Sequence, residues 1–279
     1  MKLSVISHCF KTHMIAIEKA HELGLDGVQI YATIGDFSPE VLTPETKKQY
    51  KDILEKYNLK VSALCGDMHG FGFERAEENP EKVAKTKKII DLAVEFNTNV
   101  VTTHIGVIPA DKSNPRYKIM LDALTECGLY AKERGVTMAI ETGPETPETL
   151  LQFLKDTKGG VGVNYDPANL TMVTGVDAVK GVYTLKDYIV HTHAKDGVML
   201  DKNQDPTEVY HAFATGGLDA LNACKGFKEK PLGQGDVDWP NYIKALSDIG
   251  YDGYFTIERE VGDTPEKDVA LAKDFLLSL

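Results

Sequence analysis

The sequence has no long apolar run: nothing in its 279 residues approaches the roughly 18 consecutive apolar residues that span a membrane. Ser7 and His8 interrupt the N-terminal apolar stretch too early for the hydrophobic region of a secretory signal. The four cysteines contain no Cys-x-x-Cys pair, so the sequence indicates neither a disulfide framework nor a thiolate zinc site. These absences predict a cytoplasmic protein that contacts no membrane.

Basic residues are fewer than acidic residues in this chain. The chain has 31 basic and 42 acidic residues, which gives a formal net charge of −11 at pH 7. That balance repels nucleic acid and anionic lipid unless a local basic patch overrides it. An apolar content of 42% and a charged content of 26% are ordinary for a globular protein. We therefore expect a small-molecule partner and no nucleic-acid partner.

No Gly-x-Gly-x-x-Gly follows the first strand pattern, which argues against a doubly wound dinucleotide-binding sheet. Instead, short β-rich runs alternate with helical patterns along the whole chain. Strand–helix alternation indicates a parallel sheet, and eight units indicate closure into a single α/β domain, a (β/α)8 TIM barrel over residues 1–279. The predicted strands are 3–7, 27–32, 60–65, 99–104, 137–141, 161–166, 189–193 and 254–258.

One segment breaks this rhythm, a predicted loop insertion at about 198–236 after the seventh strand. Loops of this length in a compact domain are usually functional, and one that follows a strand lies on the face where barrel active sites occur. We expect a lid or an oligomer contact. Within it, Gly233 and Gly235 could cradle a phosphate, although a plain turn is the preferred interpretation.

The seventh strand carries an unusual set of polar residues. His191, His193 and Lys195 occupy alternate positions, so their side chains share one face of the strand. Three polar groups on one face are unfavourable unless that face meets water, a ligand or a metal. His191 lies two residues deeper in the strand than His193, so we interpret it as a residue that orients a ligand.

Acidic residues end three other strands, at Glu141, Asp166 and Glu258. Each carboxylate alone could be a salt-bridged or solvated group. Together with His193 at matching strand ends, they favour a bound divalent cation that compensates their charge. Oxygen-rich ligation with one nitrogen makes Mn2+ the first choice, with Mg2+, Co2+ or Zn2+ as alternatives. The loop residue His69 and the strand-end residue His104 are either substrate contacts or hydrogen-bonded polar groups.

At these residues the sequence resembles the sugar phosphate isomerase/epimerase family, whose members are xylose-isomerase-like TIM barrels. The resemblance extends over essentially the whole chain and implies a homo-oligomer that acts on a sugar or sugar derivative. It implies metal ligation by Glu141, Asp166, His193 and Glu258, with Glu141 and Glu258 also acting as acid and base in the ketose 3-epimerase branch. We assign substrate binding to His69, His104, Asn169, Lys195 and Glu260. The strongest motifs lie at residues 139–141, 164–169, 191–196, 232–239 and 250–260.

The chemistry that this resemblance implies is proton abstraction next to a carbonyl, through an enediolate that the metal stabilises. The sequence departs from the epimerase branch in three places. Asn169 stands where a histidine is usual, and Pro147 stands where a further glutamate is usual, with Glu145 and Glu148 nearby. Lys195 is close to the place of an expected arginine.

Four functions follow from these features. The leading hypothesis is a divalent-metal-dependent sugar isomerase or epimerase. The second is a metal-dependent lyase on the same barrel, either a keto-inositol dehydratase or an enzyme that cleaves 3-keto-glycosides. An apurinic endonuclease is disfavoured by the net charge and by Asn169. The last is a non-catalytic subunit of a larger complex.

Overall fold

A closed barrel of eight parallel strands lies at the centre of the computed structural model. The structure describes residues 1–262 and 264–279, and at 218, 221 and 222 it describes the backbone alone. Neighbouring strands follow the order β1-β10-β7-β6-β5-β4-β3-β2 around the barrel. The barrel strands are β1 (Lys2–Ile6), β2 (Gly27–Tyr31), β3 (Lys60–Cys65), β4 (Val100–Thr103), β5 (Thr137–Glu141), β6 (Val161–Tyr165), β7 (Ile189–Ala194) and β10 (Tyr254–Ile257). The predicted TIM barrel is confirmed, and every predicted strand end falls within one residue of the observed one.

Helices surround the barrel, and several begin as their sequences require. Thr43 and Thr146 accept hydrogen bonds from Thr46 N and Thr149 N, and in both helices a proline occupies the first turn. Among the described residues, no helix is both long enough and apolar enough to cross a membrane. The helices are α1 (His13–Glu22), α2 (Pro44–Lys56), α3 (Asn79–Glu95), α4 (Pro115–Glu133), α5 (Pro147–Asp156), α6 (Ala178–Thr184), α7 (Pro206–Ala223), α8 (Trp239–Asp248) and α9 (Pro265–Ser278).

The apolar core fills the layer between the barrel and its helices. Its largest fully buried side chains include Trp239, Tyr165, Tyr242 and Phe153. The interior of the barrel is different, because small and polar residues replace the bulky apolar ones there. Gln29 and His191 are buried inside it and hydrogen-bonded, at 3.0 Å from Oε1 to Nε2. Stability therefore comes mainly from the outer layer, while the interior can carry polar groups.

The segment after the seventh strand is more ordered than the predicted loop. It contains α7 and an antiparallel hairpin of β8 (Asp196–Met199) and β9 (Phe227–Lys230). The carboxylate of Asp196 ties this insertion to α8. It accepts hydrogen bonds from Gly233 N at 2.9 Å, from Val237 N at 3.2 Å and from Trp239 Nε1 at 3.0 Å. A Cβ atom on Gly235 would overlap Asp196, so this glycine-rich turn encloses a carboxylate of the chain itself and is the plain turn of the preferred interpretation.

Two glycines with the same backbone conformation differ in what surrounds them. Gly24 has φ +67°, and no described atom lies within 4 Å of the position that a Cβ would take there. Gly160 has φ +77°, and a Cβ there would overlap the carbonyl oxygen of Gly128. We expect Gly24→Ala to lower the free energy of unfolding by about 1 kcal/mol, from backbone strain alone. Gly160→Ala should lower it by about 3 kcal/mol or more, because α4 must move away from β6.

Urea denaturation followed by circular dichroism measures both changes on the same scale. Gly24→Ala is the matched control, since it introduces the same methyl group at a left-handed position. Equal losses in the two variants would contradict the close approach of Gly128 to Gly160.

Candidate metal centre

Four adjacent barrel strands deliver one potential metal ligand each to the same point. Glu141 ends β5, Asp166 follows β6, His193 lies in β7 and Glu258 follows β10. One ligand atom from each residue lies within 4.8 Å of the others, and all four residues are buried. These are the four residues that the sequence predicts to meet, and the structure brings them together at the carboxyl ends of the strands.

The facing atoms of this cluster lack the partners that buried polar atoms normally have. His193 Nδ1 lies 3.1 Å from Glu258 Oε2, 3.6 Å from Glu141 Oε1 and 3.7 Å from Asp166 Oδ2. Within the described part of the chain, no hydrogen bond satisfies His193 Nδ1, Asp166 Oδ2 or Glu258 Oε2. Unpartnered buried atoms of this kind are rare, and a cation between them would satisfy all of them at once. The cluster could therefore hold a divalent metal ion.

The second oxygen of Asp166 is fixed in place by the backbone. Oδ1 accepts hydrogen bonds from Ala168 N at 2.8 Å and from Asn169 N at 3.0 Å. These bonds orient the carboxylate so that Oδ2 faces His193. The ligand geometry is thus set by the turn that follows β6.

Gln29, in the middle of β2, orients His193 from across the barrel. Its Oε1 lies 3.1 Å from His193 Nε2, while its own Nε2 donates to Thr102 Oγ1 at 2.9 Å. Because an amide oxygen only accepts, a proton on His193 Nε2 points to Gln29, and the ring presents Nδ1 to the three carboxylates, where a bound metal would take the place of the Nδ1 proton. Asn164 likewise donates to Glu141 Oε2 at 3.0 Å. Sequence reasoning missed both residues, although a glutamine and an asparagine inside buried strands were a usable signal.

His191 lies below the cluster and outside the ligand set. Its Nε2 is 3.0 Å from Gln29 Oε1 and 2.8 Å from Thr256 Oγ1. Burial, together with the charge of His193, lowers the pKa of His191 to about 3, so its ring is neutral. It shares Gln29 with His193, which fits the orienting role predicted for it.

Lys195 supplies positive charge beside Glu258. Its Nζ lies 3.2 Å from Glu258 Oε2 and pairs with Glu260. Burial opposes the charged lysine, but Glu258 and Glu260 outweigh it and hold the Lys195 pKa well above its usual range. Burial likewise raises the pKa of Glu258, yet Lys195 and His193 prevail and the net shift is downward. For Asp166, burial prevails and the pKa is raised, as expected for a carboxylate without enough positive charge nearby.

His104 and Asn169 hold the other glutamate of the cluster. His104 Nε2 lies 3.4 Å from Glu141 Oε1, and its Nδ1 lies 3.3 Å from Asp67 Oδ2. Asn169 Nδ2 donates to Glu141 Oε1 at 3.1 Å. His69 is more peripheral: it contacts Asp67 at 3.6 Å, and 53% of its side chain is exposed. Of the predicted substrate contacts, His69 alone therefore lies at the rim.

Helix α7 covers this side of the barrel mouth. A Cβ atom on Gly143 would lie 2.6 Å from the hydroxyl oxygen of Tyr210, so helix and barrel are in close contact. His211 Nε2 lies 3.4 Å from Glu74 Oε2, so the helix also approaches the loop after β3. This helix lies in the segment for which the sequence predicts a lid or an oligomer contact, and both functions stay predictions. The polar residues that line the cavity beneath α7 are His104, Asn169, Lys195, Tyr210 and Glu260.

Of the two acids beside Pro147, Glu145 is buried and Glu148 is exposed. Burial raises the pKa of Glu145 to about 8, and its Oε2 has no hydrogen-bond partner among the described residues. Glu145 is therefore a protonated carboxylic acid at neutral pH, four residues beyond Glu141. The sequence analysis noted both glutamates beside Pro147 but could not tell which of them is buried.

Comparison with known proteins agrees with this fold. The family model described as xylose isomerase-like TIM barrel matches residues 17–279. The chain belongs to this family. Among solved structures, a xylose isomerase domain protein from Planctomyces limnophilus superposes with a TM-score of 0.78 at 24% identity. That match covers 100% of this chain and 95% of the other, and it shows the fold alone.

Two curated proteins with sequences similar to this chain are named for different activities. The fructoselysine 3-epimerase of Shigella flexneri is 22% identical, over 87% of this chain and 83% of its own. The inosose dehydratase of Geobacillus thermodenitrificans is 26% identical, over 58% of this chain and 51% of its own. The relatives of this chain thus include one protein named an epimerase and one named a dehydratase.

Retention of a metal tests the cluster directly. We expect the purified protein, dialysed against Mn2+ and then against buffer, to keep a stoichiometric amount of the ion. Asp166→Asn should abolish retention, because an amide donor would replace the free oxygen that faces His193. Asp67→Asn is the matched control, since Asp67 is also a buried acid of the barrel mouth but lies outside the cluster.

Inductively coupled plasma mass spectrometry measures the metal content of the three proteins. Retention by Asp166→Asn equal to the wild type would show that the ion binds elsewhere. Equal loss in both variants would show a general effect of removing acidic charge.

Proposed function

We propose that this protein is a divalent-metal-dependent isomerase or epimerase of a sugar or sugar derivative, and that it acts by removing a proton next to a carbonyl. The observation that carries the proposal is the pair of buried glutamates, Glu141 and Glu258, on either side of His193. Both carboxylates belong to the cluster whose facing atoms lack partners within the described chain. The epimerase among the relatives supports the same reaction class.

Glu141, Asp166, His193 and Glu258 would hold the metal, and Mn2+ suits this set of three oxygens and one nitrogen, as do Mg2+, Co2+ and Zn2+. When bound, such a cation polarises a carbonyl group and thereby acidifies the neighbouring C–H bond. The remaining steps belong to side chains of the chain itself.

The two glutamates are held in the state that a general base requires. Burial raises the Glu141 pKa, but His104 and His193 outweigh burial, so the pKa falls well below its usual range and the group is ionised. Asn164 and Asn169 donate hydrogen bonds to its two oxygens and fix its direction. Lys195 Nζ lies 3.2 Å from Glu258 Oε2, and its positive charge favours the ionised form of Glu258. Two oriented carboxylates are what an enzyme needs to take a proton from one face of a carbon and return one to the other.

Neighbouring residues would bind the hydroxyl groups of the substrate. His104, Asn169, Lys195 and Glu260 all line the cavity next to the two glutamates. They offer donors and acceptors at the height where a sugar ring must lie. Helix α7 contributes Val209, Tyr210 and Phe213 to the lining of this cavity.

A lyase is the second candidate, because the same proton abstraction can be followed by loss of a leaving group. Asn169 replaces the histidine of the epimerase branch, and one relative is a dehydratase by name. Glu145 is a buried, protonated acid close to Glu141 in sequence, and elimination needs an acid for the leaving group. A keto-inositol dehydratase or a 3-keto-glycoside lyase fits these features.

Solvent-deuterium exchange tests the reaction. With Mn2+ in D2O, we expect deuterium incorporation into at least one member of a panel of ketohexoses, keto-inositols and 3-keto-glucosides. Glu141→Gln and Glu258→Gln should each lower the exchange rate by about 10²–10⁴-fold, because an amide cannot accept the proton. Glu148→Gln, on the surface of α5, is the matched control and should exchange at the wild-type rate.

Mass spectrometry distinguishes both candidates in one experiment, since an isomerase product differs from the substrate only by the incorporated deuterium, whereas a lyase product loses water or an aglycone. Metal content is measured on every variant, so that loss of a base is separated from loss of the ion. Absence of exchange across the whole panel would overturn the proposal. Wild-type exchange in both glutamine variants would do so as well.

A further inference from the structure

The cavity under α7 is lined by two chemically different sets of residues. The polar set described above includes His104, which lies 3.4 Å from Glu141, and Lys195, which lies 3.2 Å from Glu258. The other set is apolar, and we call it the apolar wall. The apolar wall consists of Met172, Val173, Val209, Phe213 and Phe227.

Part of this wall is held rigidly by the backbone. Met172 and Val173 are each 2% exposed and belong to a π-helix, Asn169–Thr174. Gln204 Nε2 donates to the carbonyl oxygens of both residues, at 2.7 Å and 3.0 Å. Asn169, which bonds to Glu141, opens the same π-helix. One short element therefore fixes a glutamate of the cluster and the apolar surface at a defined distance from each other.

The insertion after β7 completes the wall. Val209 and Phe213 lie four residues apart on α7, so they share one face of that helix. Phe227 is 5% exposed at the start of β9. The apolar surface is thus assembled from three elements that come together over one side of the barrel mouth.

A free sugar is a poor match for such a surface. It carries a hydroxyl group on nearly every carbon, and a hydroxyl pressed against these side chains would lose water without gaining a hydrogen bond. A phosphorylated sugar is also a poor match. Lys195 is the one lysine or arginine among the described residues that line the cavity, and it is already paired with Glu258 and Glu260.

We propose that the substrate is a sugar derivative with an uncharged aryl or alkyl substituent, as in a glycoside. The substituent lies against Met172, Val173 and Phe213, and the sugar ring faces Glu141 and Glu258. The placement of the sugar ring next to Glu141 and Glu258 rests on the proposed function. The placement of the substituent does not, because it is inferred from the apolar residues that line the cavity.

Binding of unreactive probes tests this inference without any turnover. Phenyl β-D-glucopyranoside and methyl β-D-glucopyranoside share a sugar and differ in the substituent. For the Mn2+-loaded protein, isothermal titration calorimetry should show the phenyl compound binding about tenfold more tightly or better, from burial of the ring. Phe213→Ala should remove most of that difference and leave the affinity for the methyl compound unchanged.

Glu208→Gln is the matched control, since Glu208 lies on the same helix with an exposed side chain and should keep the full difference. Equal affinities of the two probes for the wild type would overturn the inference, as would no detectable binding of the phenyl compound up to its solubility. A parallel loss of both probes in Phe213→Ala would also overturn it, because it would indicate displacement of α7.

The binding experiment and the deuterium-exchange experiment can fail independently of each other. A preference for the phenyl probe without deuterium exchange in any ketone would leave the apolar subsite standing and overturn the chemistry. Exchange into a free ketohexose with a kcat/KM equal to that for a phenyl 3-keto-glucoside would uphold the chemistry and overturn the inference on the substrate.

Discussion

The carboxylates of Glu141, Asp166 and Glu258 are buried close together, and like charges at this range are strongly unfavourable unless positive charge lies between them. Lys195 compensates one side of the group, but Asp166 Oδ2, Glu258 Oε2 and His193 Nδ1 still lack hydrogen-bond partners in the part of the chain that the structure describes. A divalent cation would resolve both the charge and the missing contacts. The same requirement accounts for the neighbours of the cluster, because Gln29 orients His193, Asn164 orients Glu141 and Lys195 compensates the charge of Glu258.

The polar interior of the barrel makes this orientation possible. Gln29 Oε1 contacts two histidines, at 3.0 Å from His191 Nε2 and 3.1 Å from His193 Nε2. Its own amide is held by Thr102, and His191 is held by Thr256, so strands on opposite sides of the barrel are connected. Apolar packing outside the barrel, around residues such as Trp239, supplies the stability that such an interior cannot supply by itself.

The insertion after β7 gives the site its asymmetry. Asp196 fixes the base of the hairpin to α8, and Gln204 fixes the start of α7 to the π-helix after β6. As a result, the clustered side chains lie at strand ends, while part of the cavity lining comes from an added segment. TIM barrels commonly separate chemistry from specificity in this way, since loops can change without disturbing the strands.

The sequence by itself determined the barrel and the ligand cluster. The alternation of strand and helix patterns is a local signal, and the carboxyl ends of parallel barrel strands always meet at one face, so Glu141, Asp166, His193 and Glu258 could be assigned to one place. The tertiary structure alone decided which polar residues support them. Gln29 reaches His193 across the barrel, Asp196 meets a turn 37 residues later at Gly233, and Glu145 rather than Glu148 points inward. These contacts depend on strand register and on packing between segments distant in sequence, which no local periodicity encodes.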